Sequence, residues 1–256
     1  MTIIKTISFG GLGDAFIVGC KLDQFYTKLL KKDSGAKIEH LFVESSEKTC
    51  SLIREYVEAF WNSSRFNFNV ECDPDYQNNW YAGKWKDRKY FNTTWHGVYR
   101  FPGNDTESLE TTFATLRTKK DPKYDVCIQV AAGANSTRSW KFDVIRLRNI
   151  LKAYGLKVAL VGTAEKFVDE DPFNFVCKTN LKESIDIVSE SKLYIGLSGF
   201  HTYHSLARGI PNIHCMESQQ HNFHYIHPSW EPYRFEVKHA TLSEVFDGLK
   251  HWKVYP

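Results

Sequence analysis

A chain of 256 residues is long enough for one large α/β domain or for two domains near the small end of the usual range. Its 42% hydrophobic and 25% charged residues are ordinary for a globular protein, and a formal charge of +3 suits an anionic ligand while being too small for a surface that coats nucleic acid. The aromatic share, 15%, is high and needs a place in the structure.

In chain order, "TIIKTISF" reads as a strand and residues 14–32 as a helix, followed by the strand "IEHLFVE". A helix is predicted over 47–61, because Leu52, Ile53, Tyr56, Val57 and Phe60 recur at helical spacing. "FNFNVEC" then alternates with period two, as a third strand should. Successive strand and helix units imply a parallel, helix-covered sheet. Residues 73–105 break this pattern and interleave Tyr76, Trp80, Tyr81, Trp85, Trp95 and other rings with Lys84, Lys86, Arg88, Lys89 and Arg100. Such a segment either folds a small core of its own over the sheet or offers a platform on which sugar rings or bases stack.

A helix near 107–117 and the polar stretch "TKKDPKYD" follow, and the lapse in apolar periodicity there predicts a boundary between domains 1–120 and 121–256. Alternation then restarts with the strand "YDVCIQVAA", the loop "GANSTRS", a helix over 140–154, and the strands "KVALVG" and "FNFVCK". A helix over 181–190, the strand "KLYIGLS", a short helix over 201–208, "NIHCM" as the last clear strand and a helix over 242–252 complete the chain. Two such arrays describe an α/β protein of two facing Rossmann-like domains with a cleft between them.

The six cysteines (Cys20, Cys50, Cys72, Cys127, Cys177, Cys215) are scattered, with no CxxC and no tight pair, which predicts reduced thiols in a cytosol. No secretory pattern precedes the first strand, and no apolar run approaches the roughly 18 residues a membrane span needs. A soluble cytoplasmic protein with no membrane span is therefore expected.

Ligands of open α/β sheets bind past the carboxyl ends of the strands, so the glycine-bearing loops are the places to look. "GGLGDA" is a poor dinucleotide fingerprint, because Phe16 stands where glycine or alanine is needed, and it is no P-loop, lacking GK[ST]. It remains a close-approach turn whose Asp14 either caps the helix or does chemistry. "AAGANSTRSWK" can offer backbone N–H groups to phosphate oxygens, with Arg138 and Lys141 supplying charge. "IGLSGFHTYHSLARGIPNIH" ends a strand at Ser198 and Gly199 and carries His204 into a helix, a loop that can face a diphosphate. Six histidines (His201, His204, His214, His221, His224, His227) crowd this region, but without HExxH or a closed cysteine and histidine set no metal site is expected.

Together these runs resemble glycosyltransferase family 9, the ADP-heptose:lipopolysaccharide heptosyltransferases, and their GT-B fold. "GLGD" places Asp14 at the end of that family's Leu-Gly-Asp turn, and "VAAGANSTRSW" places Arg138 at its basic position two before a tryptophan. "VALVGTAEK" resembles its next strand and turn, with Glu165 near an acidic donor-site position. "SKLYIGLSGFHTYHSLARGIPNI" is similar to its Asp-Ser/Thr-Gly stretch, with Leu197 in place of the aspartate.

The resemblance implies an inverting, metal-independent transfer of a sugar from a nucleotide-diphosphate sugar to an acceptor hydroxyl, with no cofactor beyond that co-substrate. Asp14 would be the general base. Gly11, Gly13, Gly133, Asn135, Ser136, Arg138, Lys141, Glu165, Ser198, Gly199 and His204 would bind donor, and Trp80, Trp85 and Trp95 a carbohydrate or other hydroxyl-bearing acceptor. Three rival readings stand beside it. They are a GT-B enzyme acting on a modified base in DNA, a non-catalytic nucleotide- or sugar-binding protein of the same fold, and a nicotinamide-dependent enzyme.

Overall fold

The computed structural model describes residues 3–61, 67–76, 91–92, 121–131, 139–164, 169–215 and 228–255, with only the backbone of Gln24, Phe91 and Asn92. The chain divides into two units, Met1–Thr115 and Leu116–Pro256.

The first unit runs β1 (Ile3–Phe9), α1 (Leu12–Leu30), β2 (Lys37–Glu44), α2 (Glu47–Phe60), β3 (Asn67–Cys72) and β4 (Phe91–Asn92). Its sheet has the order β3-β2-β1-β4, and every pairing is parallel. Alternation along β1 and β2 sends Ile7, Phe9, Leu41 and Val43 to one buried cluster, where Tyr76 stacks on Phe9 at 5.6 Å. On the opposite side the same alternation buries Thr6, Ser8 and His40. These polar groups are tolerated because they partner one another: His40 Nδ1 lies 2.7 Å from Thr6 Oγ1, and its Nε2 2.8 Å from Ser8 Oγ. Phe68 closes over the imidazole at 4.7 Å.

The second unit runs β5 (Tyr124–Gln129), α3 (Val144–Ala153), β6 (Val158–Val161), α4 (Leu181–Ser189), β7 (Ser191–Leu197), α5 (Phe200–Ala207) and β8 (Asn212–Cys215). A 3₁₀ turn (Pro228–Tyr233), β9 (Arg234–Val237) and α6 (Leu242–His251) follow. Its sheet, ordered β6-β5-β7-β8-β9, is again parallel throughout. One face packs Val126, Ile128, Leu193, Ile195 and Ile213 against Leu147 and Leu151 of α3 and Val245 and Leu249 of α6. The opposite face packs Cys127, Ala159, Val161 and Tyr194 against Ile187 and Val188 of α4, so both faces are covered, as a parallel sheet requires. Among the described residues no helix is long and apolar enough to cross a membrane.

Four local expectations are corrected. Helix α1 starts at Leu12 rather than 14, since Gly11 is its N-cap and Asp14 sits inside the first turn. "FNFVCK" is a run of turns with a lone bridge between Leu160 and Asn174. Here side chains take the backbone donors that a strand would need: Asp171 accepts from Phe173 N–H, and Asn174 from Val176 N–H. "RFEV" forms β9, a fifth strand paired to β8. The aromatic stretch contributes β4 to the first sheet. The helix expected near 107–117 lies outside the described residues.

Candidate active site

At the carboxyl end of β1 the chain turns on Gly10, whose φ of +135° is a conformation that L side chains rarely adopt. A Cβ there would also stand 2.5 Å from Asp14 Oδ2. Gly11 then caps α1, and its N–H donates to Asp14 Oδ2 at 2.9 Å. This is the return half of a capping box, with Asp14 at the third helical position beside the positive end of a 19-residue helix. The glycine pair and the carboxylate are therefore one device: Gly10 makes room, Gly11 donates, and Asp14 is held half-buried at the sheet edge where ligands bind. Gly13 lies in the same first turn. Gly10→Ala is expected to lower stability by about 1–3 kcal/mol from backbone strain alone, measured by urea unfolding.

At the carboxyl end of β7, Leu197 is buried in the sheet core and accepts from Thr202 Oγ1 at 2.6 Å. Ser198 N–H donates to Cys215 O, and the Ser198 hydroxyl lies 3.0 Å from Tyr203 Oη. Gly199, with extended backbone, caps α5. The turn is thus tied to both β8 and α5, and it leaves the α5 N-terminus at the edge of the sheet. Lys141 is exposed, and its N–H donates to Ala240 O. Trp140 is buried and donates Nε1–H to Gln129 O at 2.7 Å, which fastens the residues before α3 to the end of β5. At the end of β6, Gly162 (φ +118°) brings the next loop against Ala131 O, 3.2 Å from where a Cβ would stand.

The described histidines scatter. His201 bonds Ser184 Oγ at 2.9 Å, His204 is 1% exposed beside Phe200, and His214 is buried on β8 with Tyr203 6.5 Å away. Gly133, Asn135, Ser136, Arg138, Glu165, Trp80, Trp85 and Trp95 lie outside the described residues, as do His221, His224 and His227.

One cluster is invisible to spacing. The carboxylate of Glu47 and the thiols of Cys50 and Cys72 converge where α2 starts and β3 ends. Arg54 donates to Glu47 at 2.7 Å. That bond, and a second from Cys72, hold the Glu47 carboxyl below its ordinary range. The same carboxylate pushes the Cys72 thiol up to about 12. Glu47 and Cys50 do share a helix face three residues apart, but only the β2–β3 pairing brings Cys72 to them.

The fold of the chain is that of two-unit α/β glycosyltransferases. Three solved structures carry this statement. A glycosyl transferase of family 9 from Veillonella parvula DSM 2008 is 10% identical, with 100% of this chain and 90% of that one covered and a TM-score of 0.53. The ADP-heptose lps heptosyltransferase II of E. coli is 11% identical, covers 98% of each chain and gives 0.56. The E. coli heptosyltransferase WaaC, solved with ADP, is 10% identical over 98% of this chain and 99% of that one, also at 0.56. No family model and no curated protein sequence matches the chain. The resemblance carried by four short motifs is thus matched by the fold over nearly the whole length.

Proposed function

We propose that the chain is a glycosyltransferase that moves a sugar from a nucleotide-diphosphate sugar to an acceptor hydroxyl, with inversion and with no metal in the transfer step. The observation that carries this reading is the Gly10–Asp14 turn: a carboxylate fixed at the ligand-binding edge of the first sheet, in a fold shared with heptosyltransferases. In this reading residues 1–120 form the acceptor side and 121–256 the donor side of a GT-B cleft. Asp14 removes the hydroxyl proton as the oxygen attacks the anomeric carbon. Arg138, Lys141, the 133–137 backbone and the Ser198–Gly199 turn hold the diphosphate, and the α5 N-terminus adds partial positive charge where the leaving group develops its own. Glu165 contacts the donor's nucleoside or sugar, Gly11 and Gly13 allow its close approach, and Trp80, Trp85 and Trp95 stack against the acceptor. His204 supports the donor loop from within the unit rather than by touching ligand, given its burial.

An adenosine diphosphate sugar is the first donor to try, since one of the structurally similar enzymes was solved with ADP. Leu197, where the resembling family has aspartate, removes one acidic donor contact and directs the choice away from a sugar that needs it. A cytosolic setting, where nucleotide sugars are made, is part of the proposal and agrees with six free cysteines.

A thermal-shift panel of nucleotide sugars, nucleoside diphosphates and NAD tests the reading. A nucleotide-diphosphate sugar at 100 times its Kd is expected to stabilise the second unit by about 2.7 kcal/mol, and Arg138→Ala to remove most of that gain. Stabilisation by NAD alone would transfer the chain to a different class.

A further inference from the structure

Glu47 and Cys50 stand about one turn apart at the start of α2, while Cys72 is the last residue of β3. The parallel register sets Cys72 opposite Glu44, which ends β2, so the short β2–α2 connection lies across the end of β3. A carboxylate oxygen of Glu47 and the two sulfur atoms consequently all lie within 4.8 Å of one another. We propose that these three side chains bind one thiophilic divalent cation, Zn²⁺ by preference, which fastens the start of α2 to the end of β3.

The donor set and the distances both favour such an ion. Zn–S and Zn–O bonds of about 2.3 and 2.1 Å put ligand atoms roughly 3.5–3.8 Å apart around a tetrahedron, so from within 4.8 Å the three need to draw in by at most about 1.3 Å. Two thiolates exclude the hard cations Mg²⁺ and Ca²⁺, which take oxygen ligands. A water completes four-coordination, because Glu47 and half-buried Cys72 leave one side of the cluster open to solvent.

Charge also closes. Two thiolates and a carboxylate carry three negative charges, the ion brings two positive ones, and the Arg54 guanidinium, 2.7 Å from Glu47 Oε1, supplies the third. Without the ion the Cys50 thiol donates to Glu44 O at 3.5 Å, and the single Cys72 S–H is shared between the Glu47 carboxylate and Ser45 O, 3.5 Å away. Binding releases both thiol protons to solvent and exchanges those weak bonds for two metal–sulfur bonds.

Co²⁺ is the probe, since its thiolate complexes absorb in the near ultraviolet. The reduced full chain is expected to take up one equivalent with a thiolate-to-cobalt charge-transfer band that Zn²⁺ abolishes. Cys72→Ser should remove the band. Glu47→Gln should weaken uptake by about tenfold or more, since loss of even an outer-shell partner costs 10–100-fold. Cys177→Ser, which changes an exposed thiol elsewhere, should leave it unchanged. Far-ultraviolet circular dichroism checks that each variant is folded, and Cys72 is chosen over fully buried Cys50 to keep it so. A wild-type chain with no band, or a band that survives Cys72→Ser, overturns the site. Uptake is read without turnover, so this result stands apart from that of the transferase reading.

Discussion

Asp14→Asn is expected to leave the fold intact and to lower turnover by about 100-fold or more, the scale of losing a positioned general base. The substitution separates the capping bond that the structure shows from the general-base role proposed for the same carboxylate. As a cap, Asp14 accepts one hydrogen bond from Gly11 N–H, and an asparagine side-chain oxygen of the same size can accept it too. As a base, the group must take a proton, which an amide cannot do at neutral pH. Stability should therefore change by well under the roughly 1 kcal/mol that a lost helix cap costs, while turnover collapses. Asp14→Ala should lose both. The measurement is a donor-consumption assay run beside urea unfolding on the same preparations. An asparagine variant with near-normal turnover would leave Asp14 as a helix cap and nothing more, and the base would have to be sought elsewhere.

Lowering the pH from 7 to 5 is expected to destabilise the first unit by about 2 kcal/mol through one buried imidazole, and the second by about twice that through two. In the first unit, burial pushes His40 down to about 3. In the second, burial pushes His201 down to about 4, and burial and then the charge of Arg234 push His214 down to about 3. All three are therefore neutral when folded, whereas an unfolded histidine takes up a proton below about pH 6.5. Between these values the unfolded chain binds more protons, so stability is fully present above neutrality and is lost as pH falls through 6.5 toward 3. Out of a typical total of about 5–15 kcal/mol that is a large share. Urea unfolding at pH 7 and pH 5 checks it. His40→Gln should flatten the pH dependence of the first unit while lowering its stability at pH 7, because two buried hydroxyls lose their present partner. A midpoint unchanged between the two pH values would mean that these rings are protonated or solvated in the folded chain.

The periodic elements were legible in the sequence because their signal is local. The helical recurrence of Ile53, Tyr56 and Val57 and the alternation of "FNFNVEC" return as α2 and β3 with nearly the expected bounds. The misread elements are those in which tertiary partners or side-chain turns decide. Nothing local distinguishes "RFEV", which is a strand because β8 lies beside it, from "FNFVCK", which is not because Asp171 and Asn174 claim its backbone donors. At the site, the glycine turn was legible, and so was the choice between cap and chemistry at Asp14, of which the structure shows the capping half. What spacing could not disclose is how the turn is built: Gly10 is required by Asp14, and Gly11 rather than Asp14 is the capping position. The cysteines give the plainest case. Separated by 22 positions, Cys50 and Cys72 look unrelated until two parallel strands set their neighbourhoods side by side.

Strand β4 has a consequence for how the protein opens. Among the described residues it pairs Phe91 with Thr6 and Asn92 with Ile7, at the edge of the first sheet and far along the chain from β1. A two-residue ladder that closes so long a loop has little enthalpy to set against its closure entropy, so it should detach well before β1 and β2 do. Amide hydrogen exchange at Phe91 and Asn92 would then run far faster than at Leu41 or Val43, and an acceptor that contacts the aromatic stretch would slow it. In the proposed reading, those two amides would report acceptor engagement without knowledge of which sugar is transferred.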